Sequence, residues 1–503
     1  MQDSNRTDVS RSHAQRIIVM IWDGMRPDFV TPELTPHLSA LMQEGATYRR
    51  ATSIFPSVTR PVTASMSTGT YPAAHGIINN LFLGPPDDRA PIDTGDPASL
   101  ARLRAMNGDR LLPVRTLPEV LAATGRRYVA LSSCSEGQAQ LLDSEGAGTI
   151  IHPTFTAPAS LMTTLTDRFG PPPVKAIPVQ AANDWLTAVL IEYVLPELAP
   201  AVTVLWLCEP DATQHACGLG APESLAAIRG NDDCLGRVRA AVDASHVPTT
   251  IIVASDHGHT TASGMVRVTE GLRTEGFGLA LDRGQVIVGD EAIVIEDGPA
   301  ADAYGVAVAT WLVEQPWMGA LVAWTGGRKV APPNTLGIDA FWPGPLRPPL
   351  VHAPTFTWSY AWTNEPNTYG VPGSAYVGPA EELTDLAHLQ GPIVGLDRLV
   401  SWHGTLSPYD LHVVLTLVGA GIRTCELDTP AGVMDIAPTI LALLGLDPSL
   451  LPGVDGRALT EAFIAHNDAS AISVRSEYLT FVRSGVIWRH WVGSVAYLDT
   501  QAP

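Results

Sequence analysis

Six acidic and imidazole side chains fall at or just after the ends of apolar runs, where a sheet-based protein gathers its chemistry. Asp23 follows RIIVMIW, Asp211 and His215 follow TVLWLCEP, Asp256 and His257 follow IIVAS, and His403 lies in Ser401-Trp402-His403-Gly404. Carboxylate plus imidazole is a ligand set for a divalent metal. Taken singly, each member is weak, since Asp-Gly is usually a turn and a lone histidine is more often structural. Asp211 and His215 are a stronger pair, because one helical turn puts positions four apart on one face. Asp256 and His257 cannot face one way on a regular strand, but they can in the loop beyond it. Together the six suit two metals with three protein ligands each, leaving positions open for substrate and nucleophile.

The nucleophile is expected close to the first ligand. Phe55-Pro56-Ser57-Val58-Thr59-Arg60-Pro61 precedes an expected helix, Val62 to Ser67, closed by Thr68-Gly69. Thr59 then stands at the N-cap, where two readings stay open. Its hydroxyl either caps the helix or coordinates a metal, with the positive helix end helping to hold an alkoxide and an incoming anion. Arg60 either contacts a second anionic group of a substrate or is structural. His259, two residues beyond His257, is read as supporting the ligands or the fold rather than as a ligand.

Such side chains need elements that deliver them to one place. Arg16–Trp22, Tyr128–Ser132, Thr203–Leu207 and Ile251–Ala254 read as apolar strands. Helices are expected from Thr35-Pro36 to Glu44, ended by Gly45, over Thr116–Ala123, over Asn183–Tyr193 with Asn183 as N-cap, and over Leu225–Val242. Residues 300–316 read as a further helix, Gly319–Trp324 and 411–418 as strands, and Met434–Leu444 as a helix ended by Gly445. Strands apolar on both faces, alternating with helices, imply an α/β fold with a mostly parallel sheet sandwiched by helices. The expected division is a disordered tail (1–15), the first part of the core (16–283), a cap or lid with connecting chain (284–400), and the second part of the core with a C-terminal segment (401–503). Phe341–Pro372 carries Trp342, Trp358, Tyr360, Trp362 and Tyr369. It is too long for an ordinary connection and reads either as a lid beside the site or as a loop packed on the surface.

Thirty-one basic against 51 acidic residues leave a formal charge of -20, which disfavours a nucleic-acid polymer as partner. An anionic small molecule remains compatible if bound cations make the site locally positive. The five cysteines are scattered without a CxxC pair, and Cys208 ends a strand as a small core residue. Met1–Gln15 lacks an apolar h-region and no run is long enough to span a membrane, so the cytoplasm is the expected location.

Thr59-x-Pro61, followed by Thr68-Gly69-x-Tyr71-Pro72-x-x-His75-Gly76-Ile77, resembles the nucleophile segment of the type I phosphodiesterase/nucleotide pyrophosphatase family, within the alkaline phosphatase superfamily. Ile21-Trp22-Asp23-Gly24-Met25-Arg26, Asp211-x-x-x-His215, Ser255-Asp256-His257-Gly258 and Trp402-His403-Gly404 resemble its metal motifs in order, and Asp435-Ile436-Ala437-Pro438-Thr439 its C-terminal core helix. The resemblance spans about residues 16–465 and is weakest in the middle. It implies an alkaline-phosphatase-like fold and two Zn²⁺, one held by Asp211, His215 and His403, the other by Asp23, Asp256, His257 and Thr59. It also implies that Thr59 attacks phosphorus to give a phosphothreonine, and that Asn80 (Asn79 is adjacent) donates to a phosphoryl oxygen. His75 belongs to the motif and is read as structural.

Thr59-x-Pro61-x-Thr63 lacks the Cys or Ser and the Arg of the sulfatase motif, so sulfatase chemistry is disfavoured. Pro56 to Pro61 is similar to the phosphonoacetate hydrolases, but Ser133-Cys134-Ser135-Glu136 carries no lysine where those enzymes use one. A phosphomonoesterase or C–P hydrolase is the alternative enzyme, and a non-catalytic binding protein the less favoured reading.

Overall fold

Side chains along the strand Arg16–Trp22 alternate between two cores. Ile17, Val19 and Ile21 enter one apolar cluster, while Ile18, Met20 and Trp22 enter another on the opposite face. Ile252 and Ala254 join the first cluster, Ile251 and Val253 the second. A strand buried on both faces must lie inside a sheet covered by helices. The computed structural model, which describes residues 14–324, 335–343, 353–378, 400–465, 472–481 and 485–500, has that architecture.

Among the described residues the main sheet has nine strands, in the order Cys425–Leu427, Ala46–Tyr48, Leu415–Gly419, Thr249–Ala254, Arg16–Trp22, Val202–Leu207, Tyr128–Ser132, Thr149–His152 and Phe155–Ala157. The run from Thr249–Ala254 to Thr149–His152 is parallel throughout. Leu415–Gly419 returns antiparallel to both of its neighbours. It starts later than the sequence suggests, because Pro408–Leu411 first forms a short helix whose N-cap is Ser407.

Register is what positions the chemistry. Ile21 lies opposite both Ala254 and Trp206, so three neighbouring strands end at one level. Asp23 and Asp256 follow two of these strand ends, and the third leads into the helix Asp211–Cys217. Two backbone hydrogen bonds tie the exits together, Asp23 N to Leu207 O and Asp211 N to Asp23 O, both 3.0 Å. A separate four-stranded sheet pairs Thr260–Met265 antiparallel with Ser401–Trp402, Thr260 opposite Trp402. That pairing carries His403 back to residues distant in the chain.

Within 286–360, five strands form another sheet backed by the helix Ala301–Glu314. Its own apolar cluster contains Trp317, Trp358 and Tyr360. Trp342 is also buried, its indole N–H donating to Phe55 O at 2.7 Å. Three of the five aromatics expected to mark a lid are therefore packing residues, while Tyr369 is 54% exposed. Residues 344–352 of that stretch lie outside the described residues.

Two expected boundaries change. Residues 1–13 of the expected tail lie outside the described residues, but Ala14 and Gln15 are anchored, donating to Leu443 O and Pro248 O. Asn183 is no N-cap: it lies inside the helix Gln180–Val189, buried, bridging Ser133 Oγ at 2.6 Å and Asn231 Oδ1 at 3.0 Å. A buried amide finds its partners across elements there, which a local capping pattern does not reveal.

Candidate metal centre

The helix Thr59–Thr68 begins one turn earlier than its proline pattern suggests, with Val58 as N-cap and no side-chain cap. Thr59 is thus the first helical residue, and the capping role held open above is excluded. Its Oγ1 lies 3.2 Å from His257 Nε2. His257 Nδ1 is 2.9 Å from Gly258 O. A carbonyl can only accept, so Nδ1 carries a proton and Nε2 is the ring nitrogen turned toward Thr59.

Two carboxylates share that focus. His257 Nε2 is 3.2 Å from Asp256 Oδ2 and 3.5 Å from Asp23 Oδ1. Both oxygens are buried and have no hydrogen-bond partner. Their sister oxygens are held: Asp23 Oδ2 accepts from Trp206 Nε1 (2.8 Å) and Cys134 Sγ (3.2 Å), and Asp256 Oδ1 from the N–H groups of Gly24 (3.0 Å) and His257 (2.9 Å). Each carboxylate is oriented from behind, with one lone-pair edge aimed into a common space.

Asp211 and His215, on one turn of their helix as their spacing predicts, form the neighbouring group. Asp211 Oδ1 is 3.2 Å from His215 Nε2, 3.5 Å from His403 Nε2 and 2.8 Å from His259 Nε2. The Nδ1–H of His215 donates to Ser401 O (2.9 Å) and that of His403 to Ser57 O (3.1 Å), so both Nε2 atoms face inward. The rings of His257 and His403 stack at 3.7 Å, joining the two groups.

Electrostatics fits cations. Burial, then repulsion from Asp256 and Asp211, pushes the Asp23 carboxyl well above its usual range, and mainly burial pushes Asp256 up to about 7. Burial, reinforced by His257, drives His403 well down, which leaves it neutral. Neutral imidazoles and crowded carboxylates with unfilled lone pairs are what divalent ions bind. The donor set therefore fits two ions: Asp23, Asp256, His257 and Thr59 around one, and Asp211, His215 and His403 around the other.

Asn80 reaches the start of the helix Thr59–Thr68, its Oδ1 accepting from Arg60 N at 3.0 Å, whereas Asn79 turns to Asp290 O. Arg60 is only 3% exposed; its Nε donates to Thr94 Oγ1 (3.2 Å) and its Nη2 lies 3.8 Å from Asp93. His75 is buried against Ser65 Oγ and the Ile77 N–H, as a structural residue would be.

Trp206 and Cys134, which hold Asp23, carry no such signal in the sequence, where an apolar strand residue and a loop thiol look like packing. Nor does the sequence reveal a cavity of about 600 Å³ beside Cys134, lined in part by Asp93, Ser133, Glu136, His152 and Lys175. No local pattern joins Lys175 to the Ser133–Glu136 loop. Among the described residues, no helix is long and apolar enough to cross a membrane.

The model of the type I phosphodiesterase / nucleotide pyrophosphatase family matches residues 17–309, which include all of these side chains except His403. Human ectonucleotide pyrophosphatase/phosphodiesterase family member 7 is 21% identical over 254 residues, 50% of this chain and 49% of that protein. An uncharacterized pyrophosphatase/phosphodiesterase of Schizosaccharomyces pombe is 35% identical over 82 residues, 16% of each. The chain spans about half the length of the first of these curated relatives. Among solved structures, murine ectonucleotide pyrophosphatase/phosphodiesterase 5, described as an inactive threonine-to-alanine variant in complex with AMP, superposes with a TM-score of 0.57 at 17% identity, covering 86% of this chain and 96% of that one. Phosphonoacetate hydrolase from Sinorhizobium meliloti 1021 with phosphonoformate gives 0.59 at 16% identity, with 86% and 96% covered. The alkaline phosphatase PafA gives 0.62 at 13% identity, with 90% and 99% covered. These likenesses give the chain an alkaline-phosphatase-like fold.

Proposed function

The chain belongs to the type I phosphodiesterase / nucleotide pyrophosphatase family, and from that premise we propose that it is a two-zinc hydrolase of small phosphate esters or phosphoanhydrides with Thr59 as nucleophile. The observation that carries the reading is the convergence of Thr59 Oγ1 with His257 Nε2 and two buried, partnerless carboxylate oxygens. Murine ectonucleotide pyrophosphatase/phosphodiesterase 5, inactive as a threonine-to-alanine variant and bound to AMP, agrees with it.

When bound, two divalent ions supply Lewis acidity to attacking and leaving oxygens and a water whose pKa falls to about 7. The protein's own groups do the rest. Thr59 Oγ1 forms a bond to phosphorus as the bond to the leaving oxygen breaks, in line, and the proton it gives up ends on the departing oxygen. Water then attacks the phosphothreonine and returns the hydroxyl. Asn80, oriented by the Arg60 N–H, donates its amide to a non-bridging oxygen, whose growing charge it stabilises. Arg60 faces the carboxylate of Asp93, which lines the cavity, at 3.8 Å. That cavity is the room a second ester substituent needs.

Lys175 favours a second reading. It lines the cavity together with the Ser133–Glu136 loop, and one cation there suits a phosphate monoester or a phosphonate bearing a carboxylate. A panel separates the two: an aryl nucleotide diester, an aryl phosphate and phosphonoacetate, each with and without zinc. The diester should be turned over fastest, only with zinc, and Thr59→Ala should lose about 10³-fold or more in kcat. Full activity in that variant removes Thr59 from the mechanism, and faster monoester or phosphonoacetate turnover selects the second reading.

A further inference from the structure

We propose that His259 is a fourth protein ligand of the Asp211 centre, which has three in the assignment above; the proposal rests on the two-ion reading. The backbone explains why it is there. Thr260 lies opposite Trp402 in an antiparallel pair, so the residues next to them, His259 and His403, leave neighbouring strands side by side. Gly24 provides the room, since a Cβ at that position would come within 3.0 Å of both His259 Cδ2 and Asp211 Cβ.

Three imidazole nitrogens surround one carboxylate oxygen, at 2.8, 3.2 and 3.5 Å from Asp211 Oδ1 for His259, His215 and His403. Zinc–nitrogen bonds of about 2.0–2.1 Å set tetrahedral donors about 3.3 Å apart. The four donor atoms all lie within 4.8 Å of one another. Imidazoles radiating from one such ion have ring centres about 5 Å apart by the same geometry. The observed separations are 4.5 Å for His215–His259, 5.0 Å for His259–His403 and 5.1 Å for His215–His403, with planes inclined at 71°, 69° and 52°. By these measures His259 stands to the centre as the two assigned histidines do. Its distance from His257, 6.2 Å between ring centres, sets it apart from the other centre.

One difference shapes the consequence. His215 and His403 each anchor Nδ1 on a carbonyl, whereas His259 Nδ1 has no partner. Its ring is held by packing and by the ion, so it adds affinity without being required for the site to exist. Four protein donors also fill a tetrahedral shell, so this centre accepts an oxygen of water or substrate only by expanding to five.

The rival role is a hydrogen bond from Nε2–H to Asp211 that merely positions the carboxylate. His259→Gln separates the two, because an amide keeps a donor there but does not replace an imidazole ligand. In the cadmium-113 spectrum of the fully loaded protein, the variant should shift one of two resonances and leave the other in place. The zinc of that one centre should become about 10- to 100-fold easier to remove with a chelator, with the melting temperature of the metal-free protein unchanged. Unmoved resonances and unchanged chelator affinity overturn the proposal in favour of positioning. Wild-type protein loaded with zinc gives an independent check: its histidine nitrogen spectrum should contain four metal-bound Nε2 signals, and three overturn the proposal whether or not the variant folds. Wild-type protein that binds no ion overturns the two-ion reading beneath it, before any variant is made.

Discussion

The two halves of the centre solve the same electrostatic problem with different materials. Around Asp211 the donors are mostly imidazoles, fixed by carbonyls behind His215 and His403. Around His257 they are mostly oxygens: two carboxylates and the Thr59 hydroxyl. The nitrogen-rich half would bring one negative charge to an ion, the oxygen-rich half two. The second half therefore depends more on its cation, and on the hydrogen bonds that keep Asp23 and Asp256 facing inward. The lesson is that a donor's worth depends on what holds its far side.

Asp256→Asn attacks the comparison most directly. It keeps the acceptor that takes the Gly24 and His257 N–H groups but removes the anionic oxygen aimed inward. We expect one zinc per chain in place of two by elemental analysis, and about 10³-fold lower kcat. Two tightly held ions in that variant would mean that Asp256 is not a ligand. Trp206→Phe is gentler, removing one of the two donors behind Asp23. The second zinc should bind about 10- to 100-fold more weakly in chelator competition, the Asp211 centre being untouched; equal weakening of both ions breaks the claim that the halves are held separately.

His75 shows what a buried imidazole does without an ion. Burial pushes it down to about 3, whereas in the unfolded chain it titrates near 6.5. Between those values the unfolded chain binds the extra proton, so this group's contribution to stability is full above about pH 6.5 and is lost as pH falls. In urea unfolding at pH 7.5 and pH 5, His75→Gln should lose about 2 kcal/mol less on acidification than wild type. Equal losses in the two proteins would show that His75 is already charged in the fold.

The core was legible because burial on both faces leaves a mark on every residue of Arg16–Trp22 and Thr249–Ala254. Asp211 and His215 were legible because a helical turn relates them locally. Thr59 was placed one position out, since a helix can begin two residues before its proline. The supports were not legible: Trp206 lies in a strand where indole and alkyl side chains look alike, and Cys134 follows another. His259 reads as a supporting residue in the sequence because nothing near it in the chain reports that Trp402 pairs with Thr260.

Side-chain identity and local periodicity, which belong to single segments, determined by themselves the strands, the kinds of donor and the order in which they occur. Tertiary structure alone decided which donors converge, which oxygens are left without partners, and that Lys175 lines the cavity at the Ser133–Glu136 loop. Those outcomes depend on strand register and on one antiparallel return between segments far apart in the chain. A short segment carries the chemistry of its residues, but distances to the rest of the molecule exist only once the sheet has closed.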